Sequence, residues 1–503
     1  MKSNLFNSIM VKAPNRNVFD LSHDVKLSMD MGLLIPTLAL ECVPGDKFQL
    51  SCESLVRYAP LLAPVMHRMD ITHHYFFVPN RLVWPNWEIF ITNGGPSNIV
   101  PLPAFPTITV DEGNYNLLKD YLGIPEPIGS NSEEVSALPF AMYNLIWNEF
   151  YRDQNQRSPM NASLVDGDNT PGYNTTDLQR RCWEHDYFTA ALPFAQAGAA
   201  VSIPATQFDD VLVKAFSGPD PSYDIATSDP LTFLHVDRGS TDMDPQPPTQ
   251  TLYAETSELE GNPVSINELR TAFRLQEWLE KAARSGRRYI ETIKSFFNVT
   301  TQDYRLQRPE YITGTKSPVV ISEVLNTTGT DDAPQGNMAG HGLAITGGKS
   351  GGYFCREHGY LFCISSIMPK PAYQQGLSRH WLKRTPTDYF WEQFANIGEQ
   401  EILKKELYAF QGVSGTFTFG YIPRYSEYKY EPSRVCGDFR NSLSFWHLGR
   451  IFTSAPDLNS AFVECTPTTR VFAVETGVQH IWAHIYHKIR AVRPMPKYGT
   501  PSF

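Results

Sequence analysis

Strand-like alternation of apolar and polar residues is concentrated towards the two ends of the chain. Ile71–Val78 is rich in β-branched and aromatic residues and stops at Pro79, which cannot donate to a sheet ladder. Val413–Ile422 alternates strongly. The same two-residue period is weaker in Thr469–Val474 and strong in Val478–Arg490. The pattern therefore predicts strands at these four places.

One strong helical signal lies in the middle of the chain. Ser265 can cap its start, Glu268 completes a capping box, and Gly286 can end it. Apolar residues at helical spacing form one stripe: Ile266, Leu269, Phe273, Leu279 and Ala282. Two i,i+4 ion pairs are expected on the polar side, Glu277 with Lys281 and Glu280 with Arg284. A shorter helix is predicted over Phe140–Arg152.

Two long segments lack sustained periodicity. Ser202–Pro263 is rich in Asp, Pro, Ser and Thr, and Thr327–Gly352 is rich in Gly, so both are predicted to be loops. Strands near both termini, joined through such loops, indicate a β-sandwich with large insertions. We expect residues 1–201 and 264–503 to form one structural domain, with residues 202–263 as an acidic surface insertion.

Composition supports a large β protein without cross-links. The 503 residues include 13% aromatic side chains and 38 Pro, which favour strands and loops respectively. Seven scattered Cys, with no CxxC motif, argue against a disulfide framework. The most apolar stretch, Met31–Val43, contains Pro36 and Glu41 and is too short to span a bilayer, so a soluble protein is expected.

The net charge of −10 is unevenly distributed along the chain. Asp209–Glu260 contains 11 acidic residues but only two basic ones, Lys214 and Arg238. No acidic residue follows Glu475, whereas the tail is basic. An acidic middle and a basic end indicate two surfaces that face different environments.

The last predicted strand has two unlike faces. Its apolar face consists of Ile481, Ala483, Ile485 and Ile489. The other face mixes aromatic and basic residues, namely His480, Trp482, His484, Tyr486, Lys488 and Arg490, and Arg493 and Lys497 follow. Rings interleaved with cations suit stacking and phosphate contacts with a single-stranded nucleic acid, so these eight residues are DNA-facing candidates. A contact between protein subunits is the alternative interpretation.

Signatures of catalysis and cofactors are weak. Gly347-Gly348-Lys349-Ser350 resembles the end of a phosphate-binding loop, but Leu343 stands where a Gly is required. His480 and His484 would lie roughly 13 Å apart on a strand, too far to share one metal ion. Cys355, His358 and Cys363 lack a second ligand pair for zinc. We therefore expect no enzyme, metal or cofactor, although a carboxylate pair of a glycosidase is not excluded by inspection.

Several segments resemble the major capsid proteins of microviruses, especially the gokushovirus branch. They are, in family order, Pro44–Asp46, Phe76–Trp84, Ile266–Arg270, Leu275–Glu280, Arg288–Glu291, Asp303–Tyr311, Tyr373–Arg379, Phe394–Gln400 and Arg493–Gly499. Two places depart from the family pattern: Tyr311–Thr315 lacks a paired Gly, and Asp388–Glu392 lacks a Pro. The similarity extends from about residue 19 to residue 500, and the two departures concern only local loop shape.

The resemblance implies a mainly β fold, an eight-stranded viral jelly-roll sandwich with long insertions and a few helices. It implies pentamers and a T=1 icosahedral shell of sixty copies around a circular single-stranded DNA genome. It further implies a small basic DNA-binding viral protein as partner, and assembly in the cytoplasm of a bacterial host. Asp209–Glu260 is the candidate for a protrusion near the threefold axes that contacts a host receptor; a disordered loop is the alternative. A carbohydrate-active β-sandwich enzyme or binding module is the rival function.

Overall fold

The computed structural model describes residues 15–94, 101–173, 176–199, 201, 213–215, 252–254, 266–325, 338–347, 350–410, 412, 416–474 and 477–498. The chain divides into two compact units, Met1–Ala197 with Ala282–Phe503, and Gly198–Lys281. The expected insertion, residues 202–263, lies outside the described residues except for one short strand pair, β8 with β9.

Strands and short helices alternate along the described residues. The strands are β1 (Asn17–Asp20), β2 (His23–Met29), β3 (Ile35–Cys42), β4 (Lys47–Tyr58), β5 (Met69–Pro79), β6 (Thr107–Val110), β7 (Glu133–Ser136), β8 (Val213–Ala215), β9 (Leu252–Ala254), β10 (Glu310–Pro318), β11 (Val320–Leu325), β12 (Met338–Gly347), β13 (Gly351–Phe354), β14 (Gly359–Pro369), β15 (Glu399–Leu403), β16 (Thr418–Pro423) and β17 (Ile481–Arg493). The α-helices are α1 (Asn80–Val83), α2 (Trp87–Ile91), α3 (Leu117–Tyr121), α4 (Leu138–Ile146), α5 (Thr170–Tyr173), α6 (Ile266–Ser285), α7 (Tyr289–Phe297) and α8 (Ser460–Val463).

Two antiparallel sheets make up the larger unit's sandwich. One has seven strands in the order β1-β17-β4-β12-β11, with β2 also paired to β17 and β13 to β4. The other has four strands in the order β10-β5-β14-β3. Along the chain, β2, β4, β12 and β17 belong to the first sheet, while β3, β5, β10 and β14 belong to the second, which is jelly-roll winding.

The predicted mainly β sandwich is therefore confirmed, but its count of eight strands is not. The described residues place eleven strands in the two sheets. Two pairs of these strands share one position each, since β1 and β2 both pair with β17, and β12 and β13 both pair with β4. Strand β11 adds a further strand at the edge of the sheet, beside β12.

The main core lies between the two sheets, since each sheet turns alternate apolar side chains inwards. On β4, Phe48, Leu50 and Val56 are fully buried or nearly so, and on β17 Ile485 and Ile489 are completely buried. Exposed positions alternate with these buried ones along both strands. Burial of this kind stabilises by about 1.5–3 kcal/mol for each large aliphatic side chain.

A second core covers the outer face of the four-stranded sheet. Phe76 of β5 and Phe362 of β14 point away from the first core and pack with α4 residues such as Phe140 and Tyr143. Because both faces are covered, β5 and β14 are buried at nearly every position instead of alternating between buried and exposed residues. A third cluster, around Ile402, joins β15 and β16 to α8.

Several predicted elements are confirmed, and others are wrong. Strand β5 contains Ile71–Val78, and α6 ends one residue before Gly286, which has φ +91° as expected of a helix C-terminus. The helix predicted over Phe140–Arg152 is α4 followed by a π-helical turn, Trp147–Tyr151.

The errors occur where local pattern was outweighed by tertiary pairing. Thr469–Val474 is a turn with one isolated bridge, Phe472 to Leu61, and not a strand. The Gly-rich Thr327–Gly352 segment contains β12, whose residues pair with β4 on one side and β11 on the other. Small residues fit there because a Cβ on Gly342 would approach the Tyr58 ring to 2.8 Å.

Candidate nucleic-acid interface

Strand β17 lies centrally in the seven-stranded sheet and separates its side chains as the sequence predicted. Ile481, Ala483, Ile485 and Ile489 are buried in the main core. Trp482, His484, Lys488 and Arg490 are exposed on the outer face, and Tyr486 is partly exposed beside them. Two neighbouring strands, β2 and β4, hold β17 in register on either side.

His480 does not belong to this face, and that part of the prediction is wrong. It precedes the first residue of β17 and is only 4% exposed. Its Nδ1 lies 2.8 Å from Asp30 Oδ1, and its backbone N–H donates to the same oxygen at 3.1 Å. The ring also packs on Phe472 at 4.5 Å, so His480 closes the end of the sandwich.

Carboxylates from neighbouring strands contact two of the cationic candidates. Asp24 of β2 lies 3.0 Å from His484 Nε2, and Glu53 of β4 lies 2.5 Å from Lys488 Nζ. The hydrogen bond from Lys488 to Glu53 raises the pKa of the exposed lysine. Such surface pairs contribute little to stability, and both cations remain on the exposed face.

Arg493 is a structural residue rather than a surface cation. Its Nε lies 3.2 Å from Oδ2 of Asp46, which is completely buried, and its Nη2 donates to Glu41 O at 2.7 Å. Burial raises the pKa of Asp46, although the Val43 N–H and Arg493 act in the opposite direction. Arg493 therefore ties the end of β17 to the turn between β3 and β4.

Neighbouring strands contribute cations that the sequence analysis missed. Because residues in register share a face, the outer face of β17 extends across β1, β2 and β4. Its exposed basic residues are Lys26, Lys47, Arg57, Lys488 and Arg490, and its exposed acidic residues are Asp20, Asp24 and Glu53. The face is therefore net positive on a chain of charge −10.

The last predicted candidate, Lys497, lies beyond β17 and is exposed, with its Nζ 5.7 Å from the Tyr498 ring centroid. Six of the eight predicted residues thus remain accessible, five on one face and Lys497 in the tail. Alternation along Lys47–Tyr58 was the available signal for the missed residues, but the sequence did not show that β4 lies beside β17.

A group of buried polar side chains lies between the two sheets, beneath this face. The His73 ring of β5 is hydrogen-bonded through Nε2 to Ser54 Oγ at 3.1 Å and through Nδ1 to Ser365 Oγ at 2.7 Å. His487 of β17 donates from Nε2 to Thr37 O at 3.1 Å, so its Nδ1 accepts from Tyr75 Oη at 2.8 Å. Burial lowers the pKa of His73 to about 4 and that of His487 to about 3.

These histidines predict acid sensitivity of the subunit. A depressed folded-state pKa means that stability is fully present above the unfolded value near 6.5 and is lost as the pH falls towards 4. Protonating the buried His73 therefore costs the folded subunit about 3 kcal/mol relative to the unfolded chain. We expect the urea midpoint to decrease as the pH is lowered from 7 to 4.5. In His73→Gln the free energy of unfolding should depend less steeply on pH, by the equivalent of about one proton. An unchanged slope in the variant would contradict the assignment.

Residues in the segments that resemble the microvirus capsid proteins make hydrogen bonds between distant parts of the chain. Gln375 makes two bonds of 2.7 Å to the backbone of Phe452, and Arg379 Nη1 donates to buried Glu406 at 2.8 Å. Arg288 donates to Asn148 O and Arg152 O at the end of the π-helical turn that follows α4, and cations are favoured at such a C-terminus. These contacts hold together distant parts of the larger unit.

The described residues offer no support for a metal site or a membrane anchor. No three His, Cys, Asp or Glu side chains among them converge to hold a metal ion. No described helix combines the length and apolar character needed to cross a bilayer. All seven cysteines are free thiols.

Comparison with known proteins finds one family along almost the whole chain. The model of the capsid protein (F protein) family matches residues 8–503. The capsid protein VP1 of Bdellovibrio phage phiMH2K is 36% identical over 97% of this chain and 95% of its own length. The VP1 of Chlamydia phage 1 is 34% identical over 99% and 97%, and that of Spiroplasma virus 4 is 27% identical over 97% and 95%.

Proposed function

Because this chain belongs to the phage capsid protein (F protein) family, we propose that it is the subunit of a closed T=1 icosahedral shell of sixty copies around a circular single-stranded DNA genome. Membership itself makes the chain a major capsid protein of microvirus type, a structural protein of the virion and not an enzyme. The carbohydrate-active alternative is therefore abandoned. Capsid assembly also means that the chain acts in many copies.

The face of β17 supports a role in genome contact. Trp482 is 49% exposed and lies in register with Arg57, while Lys26 lies in register with the neighbouring outward residue His484. Arg490 extends the same outer face further along β17, beyond Tyr486 and Lys488. Rings offer stacking to any base, while cations contact phosphates without sequence preference. The net positive charge of this face on an acidic chain is the observation that carries the proposal, since sixty uniformly acidic subunits would repel a genome.

Other partners follow from the same proposal. A small basic DNA-binding viral protein would supply further neutralising charge, and pentamers would precede the complete shell in the cytoplasm of the bacterial host. Asp209–Glu260, most of which lies outside the described residues, would form the acidic protrusion near the threefold axes that meets a host receptor. Its acidity and its Pro content suit a solvated outer surface. In this proposal residues 202–263 form the insertion, and the flanking segments 1–201 and 264–503 form one domain.

Neutralising the cationic face should reduce genome content before it reduces shell formation. The triple variant Lys26→Gln, Arg57→Gln and Arg490→Gln removes three exposed charges that make no described contact with a carboxylate. We expect intact particles with a several-fold lower ratio of DNA to protein, and a weaker dependence of DNA binding on salt. Ultraviolet absorbance of purified particles measures this ratio.

The matched control changes three exposed cations elsewhere: Lys294→Gln, Arg356→Gln and Lys429→Gln. It alters the net charge equally and should leave genome content unchanged. Equal losses in both variants would mean that only total charge matters, and unchanged genome content in both would remove the role of the β17 face.

A further inference from the structure

An unusual group of apolar side chains is exposed on the larger unit. Between Trp381 and Ile397, six large side chains point into solvent, with exposed fractions of 63% (Trp381), 56% (Tyr389), 55% (Phe390), 51% (Trp391), 36% (Phe394) and 59% (Ile397). We call these six residues the aromatic band. They lie on or beside three short 3-10 turns between β14 and β15 and outside the three large cores.

The band is as large as the largest apolar patches on typical monomers and approaches one side of a standard protein interface. Aromatic side chains carry about 150–250 Å² each, so the five half-exposed rings present roughly 500 Å², to which Ile397 adds a smaller area. The largest apolar patch on a typical monomer is about 300–600 Å², and one side of a standard interface is about 800 Å². Trp and Tyr are also enriched where interfaces concentrate their binding energy.

The backbone beneath the band is fixed from inside the subunit. Asp388 accepts from the N–H groups of Arg384 and Thr385 at 2.8 and 2.7 Å, and these bonds lower the pKa of its carboxyl. Trp391 Nε1 donates to Pro386 O at 2.9 Å. The polar requirements of the loop are thus met locally, and its rings are presented in a fixed arrangement.

Further contacts anchor the band to the segment after β16. Arg424 Nη2 donates to Thr387 O at 3.1 Å, and the Phe390 ring packs edge-on against Tyr425 with centroids 5.2 Å apart. Lys383 lies 3.8 Å from the Tyr428 ring centroid and 3.3 Å from Glu427, so its charge is paired. A preorganised aromatic surface loses little entropy when a partner covers it.

The band borders a concave site. Lys383 and Tyr428 also line a cavity of about 180 Å³, whose walls include Tyr187 and Tyr430. An apolar surface beside a cavity of side-chain size is a shape that a folded protein can complement. Two of the cations at this cavity, Lys383 and Arg379, are already paired with Glu427 and Glu406, which leaves less free charge for a polymer such as DNA.

We propose that the aromatic band is a contact between copies of this chain and that a neighbouring subunit covers it in the assembled shell. The proposal rests on the proposed function, since a capsid subunit must bury surface against copies of itself. The band combines apolar area, internally fixed backbone and a neighbouring cavity, which is what a repeated contact between identical folded subunits needs.

The main test variant introduces charge into the band without breaking its internal bonds, and a second variant removes one of those bonds while keeping the apolar area. Trp381→Ser with Ile397→Lys removes two side chains whose described contacts do not include the bonds that fix the loop. Trp391→Phe keeps most of the ring area but loses the bond to Pro386. The matched control is Ile128→Lys, which puts the same charge at an apolar position that is 84% exposed elsewhere on the larger unit.

Particle yield is measured by sedimentation and electron microscopy, subunit folding by circular dichroism, and host adsorption with any particles that form. The double variant should fold normally and give at least tenfold fewer particles, while Trp391→Phe and Ile128→Lys should assemble nearly as the wild type does. Normal particle yield from the double variant, with or without loss of adsorption, would overturn the contact. So would an equal loss in Ile128→Lys. Failure of the wild-type chain itself to form shells would instead count against the proposed function.

Discussion

Gly376→Ala is expected to leave little folded subunit. A Cβ at this position would lie 1.8 Å from Glu406 O and 2.9 Å from the Leu407 Cα, far inside contact distance. Both atoms belong to backbone, so no rotation of a side chain relieves the overlap. We expect a loss of more than about 3 kcal/mol, a large share of the roughly 5–15 kcal/mol that stabilises a typical fold. Soluble yield and the urea midpoint measure it.

The neighbourhood of Gly376 explains why the backbone would not yield. Glu406 is 4% exposed, and it accepts from Arg379 Nη1 at 2.8 Å, from Tyr187 Oη at 3.0 Å and from the Leu403 N–H at 2.9 Å. Moving the Glu406 carbonyl would disturb all three bonds. Gly347→Ala is the control, because a Cβ there meets nothing within 4 Å. Equal stability of the two variants would show that the segment adjusts freely.

Arg493→Met is expected to destabilise the fold by about 3–5 kcal/mol, because it leaves the buried Asp46 carboxylate without its cation. Methionine retains much of the aliphatic bulk, so lost charge and not lost volume dominates. Burial already raises the pKa of Asp46, and loss of Arg493 raises it further. The deficit should therefore shrink as the pH falls and the carboxyl is protonated. Urea denaturation at pH 7 and pH 5 measures both effects.

Two further variants separate this clamp from the basic tail as a whole. Lys497→Met removes an exposed charge from the same tail and should change stability by less than about 0.5 kcal/mol. Adding Asp46→Asn to Arg493→Met removes the unpaired charge and should recover part of the loss. If Lys497→Met proved as damaging as Arg493→Met, tail charge in general and not the Asp46 contact would be responsible.

The genome-contact hypothesis changed most between sequence and structure. Alternation in the last strand correctly separated the inner Ile485 and Ile489 from the outer Trp482 and Lys488. Alternation does not show what lies across the sheet, so the carboxylate beside Lys488 was not foreseen. Alternation also does not hold beyond the end of a strand. His480 precedes β17, and its side chain points inwards and contacts Asp30.

The family segments show a similar division between what a pattern identifies and what it explains. Tyr373–Arg379 was recognisable as a family feature, and the chain belongs to that family. Its physical purpose was not readable, because Gly376 meets the backbone of Glu406 and Gln375 meets that of Phe452, both distant in sequence. The sequence also did not predict the aromatic band, because the exposure of a ring depends on whether the rest of the fold covers it.

The sequence by itself determined the class of fold, the limits of α6, the strand β5, the two-faced character of β17 and the family, because each depends on local period or on ordered residue identities. Only the tertiary structure decided which strands are neighbours, and with them the carboxylates beside the cations, the Asp46–Arg493 clamp and the uncovered rings. Pairing between strands joins residues hundreds of positions apart, and the energy that selects those partners comes from burial of shared surface that no local window contains.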